Sequence, residues 1–328
     1  MIINSIFKPA WPLRNGHLQT LWPFLFQRRF CVPFQQERVE LLDGDFMDVF
    51  WCGPYFQDHP TRHTDHSARP IVMILHGLGG CFESHYVKGM IKSLHRHGYR
   101  VVFIHARGCS GESNRLLRTF HAADTSELDS VVQIIRQRYP GSLITALGFS
   151  LGASILLKWL GTQNTITAAA AVSVPFNLAD TARTLNRGFS RVYQSYLLRR
   201  LKLLTLNKIN AGHLITTKNK LRALTSLADY DQQITAPING FDNTQQYYQV
   251  ASCTQYLTNI QNPTLIVHAL DDPFVPKHAV PSAQELATPV TLELSNTGGH
   301  VGFLQGTPFN TTRYLEYRIP SFLDIHCK

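Results

Sequence analysis

The pentapeptide Gly148-Phe149-Ser150-Leu151-Gly152 sets a serine between two glycines, where an apolar run over residues 143–147 gives way to a helical pattern over Leu151–Leu160. A serine at such a turn must hold a strained backbone, and small residues two before and two after it let neighbouring chain approach. The turn also puts Ser150 at the positive end of the helix, where the Leu151 N–H can point at a developing oxyanion. That is the chemistry of nucleophilic attack on an acyl carbonyl. Read blandly, Ser150 is a helix-capping serine between packing glycines.

The attack needs an imidazole to take the hydroxyl proton and a carboxylate to hold that imidazole in one tautomer. Both types occur after Ser150, each on a loop following a late apolar run. Asp271-Asp272-Pro273-Phe274 follows Thr264–Ala269, and Gly298-Gly299-His300-Val301-Gly302-Phe303 follows residues 290–294. His300 is the candidate base and Asp272 the candidate acid. Asp271 competes with Asp272 and ranks second, because Pro273 biases Asp272 towards an extended conformation that projects its side chain from the strand end. Taken singly, Asp272 is a turn residue and His300 an ordinary core or surface histidine; their order with the serine makes the functional reading. A second oxyanion donor is expected from His76-Gly77-Leu78-Gly79-Gly80, directly after Ile71–Leu75, with the Leu78 N–H as candidate. His76 itself, at the strand end before the glycines, reads as a structural hydrogen-bonding residue.

Those loops need a frame. The runs over 71–75, 99–104, 143–147, 168–174 and 264–269 have the length and composition of buried strands. Residues 86–97 and 126–138 show apolar spacing of three and four, the latter with Asp124 as expected N-cap and Glu127 three positions on. Strands alternating with helices predict an α/β fold, a mainly parallel central sheet covered by helices on both faces. Residues 38–42 and 47–51, around the turn Asp43-Gly44-Asp45, read as a hairpin that begins the sheet. Between residues 174 and 264 the alternation lapses, and a basic, mainly helical stretch reads as an inserted cap. The predicted division is an N-terminal segment and first core part over 1–174, a helical cap over 175–260, and the rest of the core over 261–328.

Composition narrows the classes. The 328 residues are 44% apolar and 16% charged, the balance of a globular chain. The apolar runs are too short for a spanning helix, and Lys8, Arg14 and several prolines interrupt any signal-peptide core. Six cysteines scattered without a CxxC pair suit a reducing compartment, so the expected location is the cytoplasm, without disulfides. His59, His63 and His66 have a spacing that could ligate a metal on a rigid element, but they fall in a polar stretch that reads as a solvated loop. No metal or cofactor is expected. Arg107-Gly108-Cys109-Ser110-Gly111-Glu112 lacks the pattern of a Walker loop, and Cys109 reads as a small buried residue in a structured turn. The net charge of +9 comes with no nucleic-acid-binding motif. The basic residues of the cap, Arg187, Arg191, Arg199, Arg200, Lys202, Lys208, Lys218 and Lys220 among them, alternate with Leu, Tyr and Phe. They read as a solvated helix face, with weak contact to a membrane surface as the competing reading.

The motifs together resemble the YheT-like branch of the α/β-hydrolases, a bacterial family with membrane-associated eukaryotic and yeast relatives. The resemblance rests on Asn15-Gly16-His17-Leu18-Gln19-Thr20-Leu21, the 76–80 loop, the 107–112 string with Asn114-Arg115, the Ser150 turn, and the Asp271 and His300 loops. It implies an α/β-hydrolase fold, a Ser150–His300–Asp272 triad without metal, and hydrolysis of carboxylic esters of short or medium acyl chain. The expected substrate is a small or lipid-like ester; acyl transfer to an alcohol, or a non-catalytic binding module on the same fold, are the alternatives. Oligomeric state is not readable.

Overall fold

The computed structural model describes residues 1–26, 30–53, 69–163, 165–213, 215–307 and 310–327. Along the chain come β1 (Ile2–Asn4), α1 (Gly16–Leu25), β2 (Phe34–Glu40), β3 (Phe46–Cys52), β4 (Ile71–Leu75), α2 (Val87–Arg96) and β5 (Arg100–His105). There follow α3 (Ser126–Arg138), β6 (Ile144–Phe149), α4 (Leu151–Leu160) and β7 (Ala168–Val172). A helical region begins with α5 (Leu178–Leu185), α6 (Arg191–Asn210), α7 (Lys218–Ala223) and α8 (Leu227–Tyr230). A π-helical turn (Asp231–Thr235), α9 (Ala236–Ile238) and α10 (Thr244–Ala251) complete it. The chain then returns through β8 (Thr264–Ala269) and β9 (Val290–Ser295), with a small hairpin of β10 (Leu304–Thr307) and β11 (Asn310–Arg313), to α11 (Tyr314–Cys327).

Among the described residues the main sheet has nine strands in the order β1-β9-β8-β7-β6-β4-β5-β3-β2. From β1 to β5 every pairing is parallel; β3 alone runs against the other strands, pairing antiparallel with β5 and with the edge strand β2. The hairpin strands are longer than the alternation predicted, because pairing continues to Phe34 and Cys52 beyond the patterned residues. The hairpin is also not the first strand: β1, three residues long, pairs with β9 at the opposite edge.

Side chains of the central strands alternate between two cores. Ile71, Met73 and Leu75 of β4 pack with Leu128 and Ile135 of α3 and Ile155 and Trp159 of α4. Val72 and Ile74 face the other way, onto Met90 and Leu94 of α2 and Ile319 and Leu323 of α11. Burial on both faces is why these strands read as unbroken apolar runs. Helix α3 starts at Ser126 after Thr125, which makes no side-chain cap; Asp124 instead accepts from the Ser126 N–H at 3.0 Å and hydroxyl at 2.7 Å. The N-cap position is thus Thr125, one residue later than expected, and the other Asp124 oxygen accepts from Arg118.

Strand β4 lies between β5 and β6, so the chain leaves in opposite directions after β4 and after β6. The helices that follow, α2 and α4, therefore cover opposite faces. A crevice opens at the carboxyl ends of the two strands, the usual ligand position in such sheets.

Candidate active site

Strand β6 ends at Phe149 and α4 begins at Leu151, leaving Ser150 alone at the bend with φ 53° and ψ −122°. The flanking glycines are required by close approach. A Cβ on Gly148 would lie 2.5 Å from Ala153 Cα, and one on Gly152 2.4 Å from the His76 carbonyl oxygen. The loop after β4 also presses close, since a Cβ on Gly77 would meet Ser150 Cβ at 2.9 Å.

The His300 ring reaches this serine, its Nε2 lying 2.9 Å from Ser150 Oγ. Its Nδ1 lies 2.8 Å from Asp272 Oδ2 and 3.1 Å from Oδ1. A carboxylate only accepts, so the ring proton sits on Nδ1 and Nε2 is left to accept from the serine hydroxyl. An imidazole so held can take the hydroxyl proton and return it to a leaving group. Asp272 is buried and also accepts from the Phe274 N–H at 2.8 Å. Asp271 does another job: its Oδ1 accepts from the Gly299 N–H at 2.9 Å, tying the β8 loop to the histidine loop. Burial raises the Asp271 carboxyl above its ordinary range.

Among the described residues the N–H groups of Leu78 and Leu151 donate to no protein acceptor. Their neighbours are engaged, Gly77 N–H with the Tyr86 hydroxyl at 3.1 Å and Gly80 N–H with the Gly77 carbonyl at 2.9 Å. His76 does not reach the serine. Its Nδ1 donates to the Gly77 carbonyl at 2.7 Å, Nε2 accepts from the Ala106 N–H at 3.2 Å, and burial pulls its pKa down to about 4.

The histidine loop needs unusual backbone, with positive φ at Gly298, Gly299, Val301 and Phe303. Much of its support comes from α1, which the sequence reading left without a role. The Thr20 hydroxyl accepts from the His300 N–H at 2.8 Å and donates to the Gly16 carbonyl at 2.7 Å. Gln19 is wholly buried; its amide donates to the Leu13 and Leu304 carbonyls at 2.7 and 3.0 Å, and its carbonyl accepts from the Leu304 N–H at 2.7 Å. A Cβ on Gly299 would meet the Gly16 carbonyl oxygen at 2.4 Å. Ser173, at the end of β7, accepts from the Val301 N–H at 2.9 Å. Phe274 lies flat on the His300 ring, 3.8 Å between centroids and 4° between planes. Gln19, Thr20 and Phe274 fall in strings on which the family resemblance rests, whereas Ser173 falls in none of them.

The string from Arg107 to Glu112 is structural. Buried Arg107 bridges Asp43 at 2.9 Å, Asp45 at 3.1 Å and Glu127 at 2.9 Å, joining the β5 loop to the β2–β3 turn and α3. Asp45 further accepts from Asn114 at 2.5 Å and from the Arg115 N–H at 2.7 Å. Burial pushes the Cys109 thiol up to about 12, leaving it protonated and unreactive at neutral pH. His59, His63 and His66 lie outside the described residues.

A cavity opens over the serine, lined by Leu78, Ser150, Leu151, Phe274 and His300 from the sheet side. The roof comes from the helices between β7 and β8: Leu197, Leu201 and Leu204 of α6, with Tyr230, Tyr247 and Tyr248. The helical region also puts a carboxyl and an amine among this lining. Asp231, on the π-helical turn, accepts from the Tyr248 hydroxyl at 2.8 Å, and burial raises its pKa to about 6. Lys208 is buried, donates to the Leu116 carbonyl, and is lowered to about 8 by burial.

Residues 70–307 match the family profile described as alpha/beta hydrolase fold. The chain is 36% identical to the YheT protein of Escherichia coli (strain K12), over 98% of this chain and 93% of that one. It is 27% identical to human phospholipase ABHD3 over 98% of this chain and 79% of the relative. With the monoacylglycerol lipase of Saccharomyces cerevisiae it shares 31% identity over 76% of this chain and 58% of the relative. Among solved structures, the esterase Pf2001 of Pyrococcus furiosus superposes with a TM-score of 0.57 at 16% identity, covering 92% of this chain and 98% of the esterase. The 2,6-dihydroxy-pseudo-oxynicotine hydrolase gives 0.58 at 17% identity, over 95% and 72% of the two chains; both likenesses concern the fold. Sheet order, motifs and relatives agree: the chain belongs to the α/β-hydrolases, in the YheT-like branch.

Proposed function

We propose that this hydrolase cleaves carboxylic esters through an acyl-enzyme on Ser150. His300 takes the Ser150 proton as the hydroxyl attacks the acyl carbon, then gives it to the departing alcohol; Asp272 steadies the imidazolium. The N–H groups of Leu78 and Leu151 hold the oxyanion, each donor contributing about 3 kcal/mol to lowering the barrier. Water, activated by His300, then releases the acid and restores the serine.

The observation that carries this reading is the hydrogen-bonded chain from Ser150 Oγ through His300 to Asp272, at 2.9 and 2.8 Å. The leucine-lined cavity supports an apolar acyl group of short to medium length. Residues 175–260 serve as the cap that roofs it. Relatives named for phospholipase and monoacylglycerol lipase activity bring glycerol-linked acyl esters into the range of substrates. The six cysteines, scattered without a paired framework, support a cytoplasmic location.

The test is turnover of p-nitrophenyl esters and labelling by a fluorophosphonate. The wild-type chain turns over and is labelled at Ser150, and Ser150→Ala loses both with its circular dichroism unchanged. Full activity in Ser150→Ala removes the proposal.

A further inference from the structure

The positive charge of this chain is concentrated in two segments. Residues 1–36 and 181–228 hold 14 Lys and Arg and no Asp or Glu. The other 17 Lys and Arg stand against all 22 carboxylates, so the rest of the chain carries −5. The two segments, far apart in sequence, contribute α1 and α6, and the two helices touch. Phe24 meets Tyr196 at 5.4 Å between ring centroids, His17 meets Phe189 at 4.8 Å, and His17 Nδ1 lies 3.0 Å from the Tyr193 hydroxyl.

Each helix holds the fold with one side and exposes apolar residues on another. The inner face of α1 carries Gln19 and Thr20, which hold the His300 loop, yet Leu18, Phe24 and Leu25 are exposed at 43%, 50% and 66%. On α6, Leu197, Leu201 and Leu204 line the cavity, while Val192, Tyr196 and Leu203 recur at helical spacing on the opposite side and are exposed. Apart from the Phe24–Tyr196 contact, these exposed apolar side chains lie outside the monomer's cores. Exposed Arg14, Arg187, Arg191 and Arg199 flank them, and among the described residues none of these arginines lies within ion-pair distance of a carboxylate.

We propose that the joined outer faces of α1 and α6 are a docking surface for an anionic lipid bilayer. Aromatic and aliphatic side chains entering the headgroup boundary beside acid-free arginines match what such a surface offers: apolar depth and negative charge at one level. A second copy of the chain fits less well, because a two-fold contact would set these arginines against each other. A phosphate backbone would pair with the arginines but leave the apolar stripe without a partner. The contact lies on the membrane and does not cross it, as no helix among the described residues is long and apolar enough to span. The helix that docks is the one that roofs the cavity, so the bilayer would lie on the side from which a lipid-like ester reaches the site.

The experiment is flotation of the full chain with vesicles of phosphatidylcholine alone and of phosphatidylcholine with about one third phosphatidylglycerol, at low and high salt. The wild type floats with the anionic vesicles only, and salt releases it. Arg191→Gln with Arg199→Gln weakens partitioning about 25-fold, roughly fivefold per cation removed. Phe24→Ser with Val192→Ser weakens it at unchanged charge. Both double variants keep wild-type circular dichroism and wild-type hydrolysis of dissolved p-nitrophenyl acetate. Ser150→Ala binds vesicles as the wild type does, so a failure of the chemistry and a failure of the surface are read apart. Equal flotation with both lipids, or undiminished binding by both double variants, overturns the proposal. So does a sedimenting dimer that both variants dissolve, or duplex RNA binding lost only in the arginine variant without vesicle binding.

Discussion

The Thr20 hydroxyl accepts a hydrogen bond from the His300 backbone N–H at 2.8 Å, joining residues 280 positions apart. It is a positioning contact: Thr20 touches no reacting atom, but it sets where the imidazole begins. Thr20→Val leaves that buried N–H without an acceptor, a cost of about 1–3 kcal/mol. Because small displacements of a base are expensive, kcat for p-nitrophenyl butyrate should fall roughly 10- to 100-fold with KM little changed. Thr20→Ser, which restores the acceptor, should recover most of it; equal loss in both variants would mean that only packing matters there.

The two adjacent aspartates separate by role. Asp272→Asn presents an amide to Nδ1 and favours the wrong tautomer, so kcat should fall about 10⁴-fold. Asp271→Asn keeps an oxygen for the Gly299 N–H and should stay within about tenfold of wild type. Steady-state kinetics on both variants checks the ranking, and reversed losses would move the orienting role to Asp271.

Leu204 lines the cavity from α6 and is a place to shorten it. Leu204→Trp fills acyl space, so turnover of p-nitrophenyl octanoate relative to acetate should drop about tenfold or more. A chain-length profile that does not move would place the acyl group elsewhere.

Asp231 gives a pH dependence with a definite sign. Burial raises its folded pKa to about 6 from an ordinary 3.8, so the folded protein holds this proton more tightly than the unfolded chain. Its contribution to stability is therefore fully present below about pH 4 and is lost as pH rises through about 6. Asp231→Asn removes that loss, and thermal midpoints at pH 5 and pH 8 should lie closer together in the variant. An unchanged gap would assign the pH dependence to other groups.

Much of the frame was legible in the chain because the relevant rules are local. Parallel strands buried on both faces appear as apolar runs, and β4 and β8 match their runs at both ends. The tight turn at Ser150 announces itself by glycines two residues away on each side, where a Cβ would strike backbone. The order of the Asp272 and His300 loops after late strands could also be read from the string. Other features carry no local pattern. Strand β1 is three residues long and exists only because β9 offers it an edge. The division of labour between Asp271 and Asp272 rests on where Gly299 and His300 lie, 28 residues onward. The stack of Phe274 on His300 and the grip of Gln19 and Thr20 on the histidine loop depend on the same convergence.

The residue types and their order determined by themselves the sheet-and-helix frame and three loops able to hold a serine, a carboxylate and an imidazole. Only the tertiary structure decided which carboxylate meets the ring, what holds the ring in place, and which apolar stripe of α6 faces the cavity. The reason is physical. Periodicity and turn chemistry act over a few residues, whereas a hydrogen bond between Thr20 and His300 is made by the packing of the whole sheet between them.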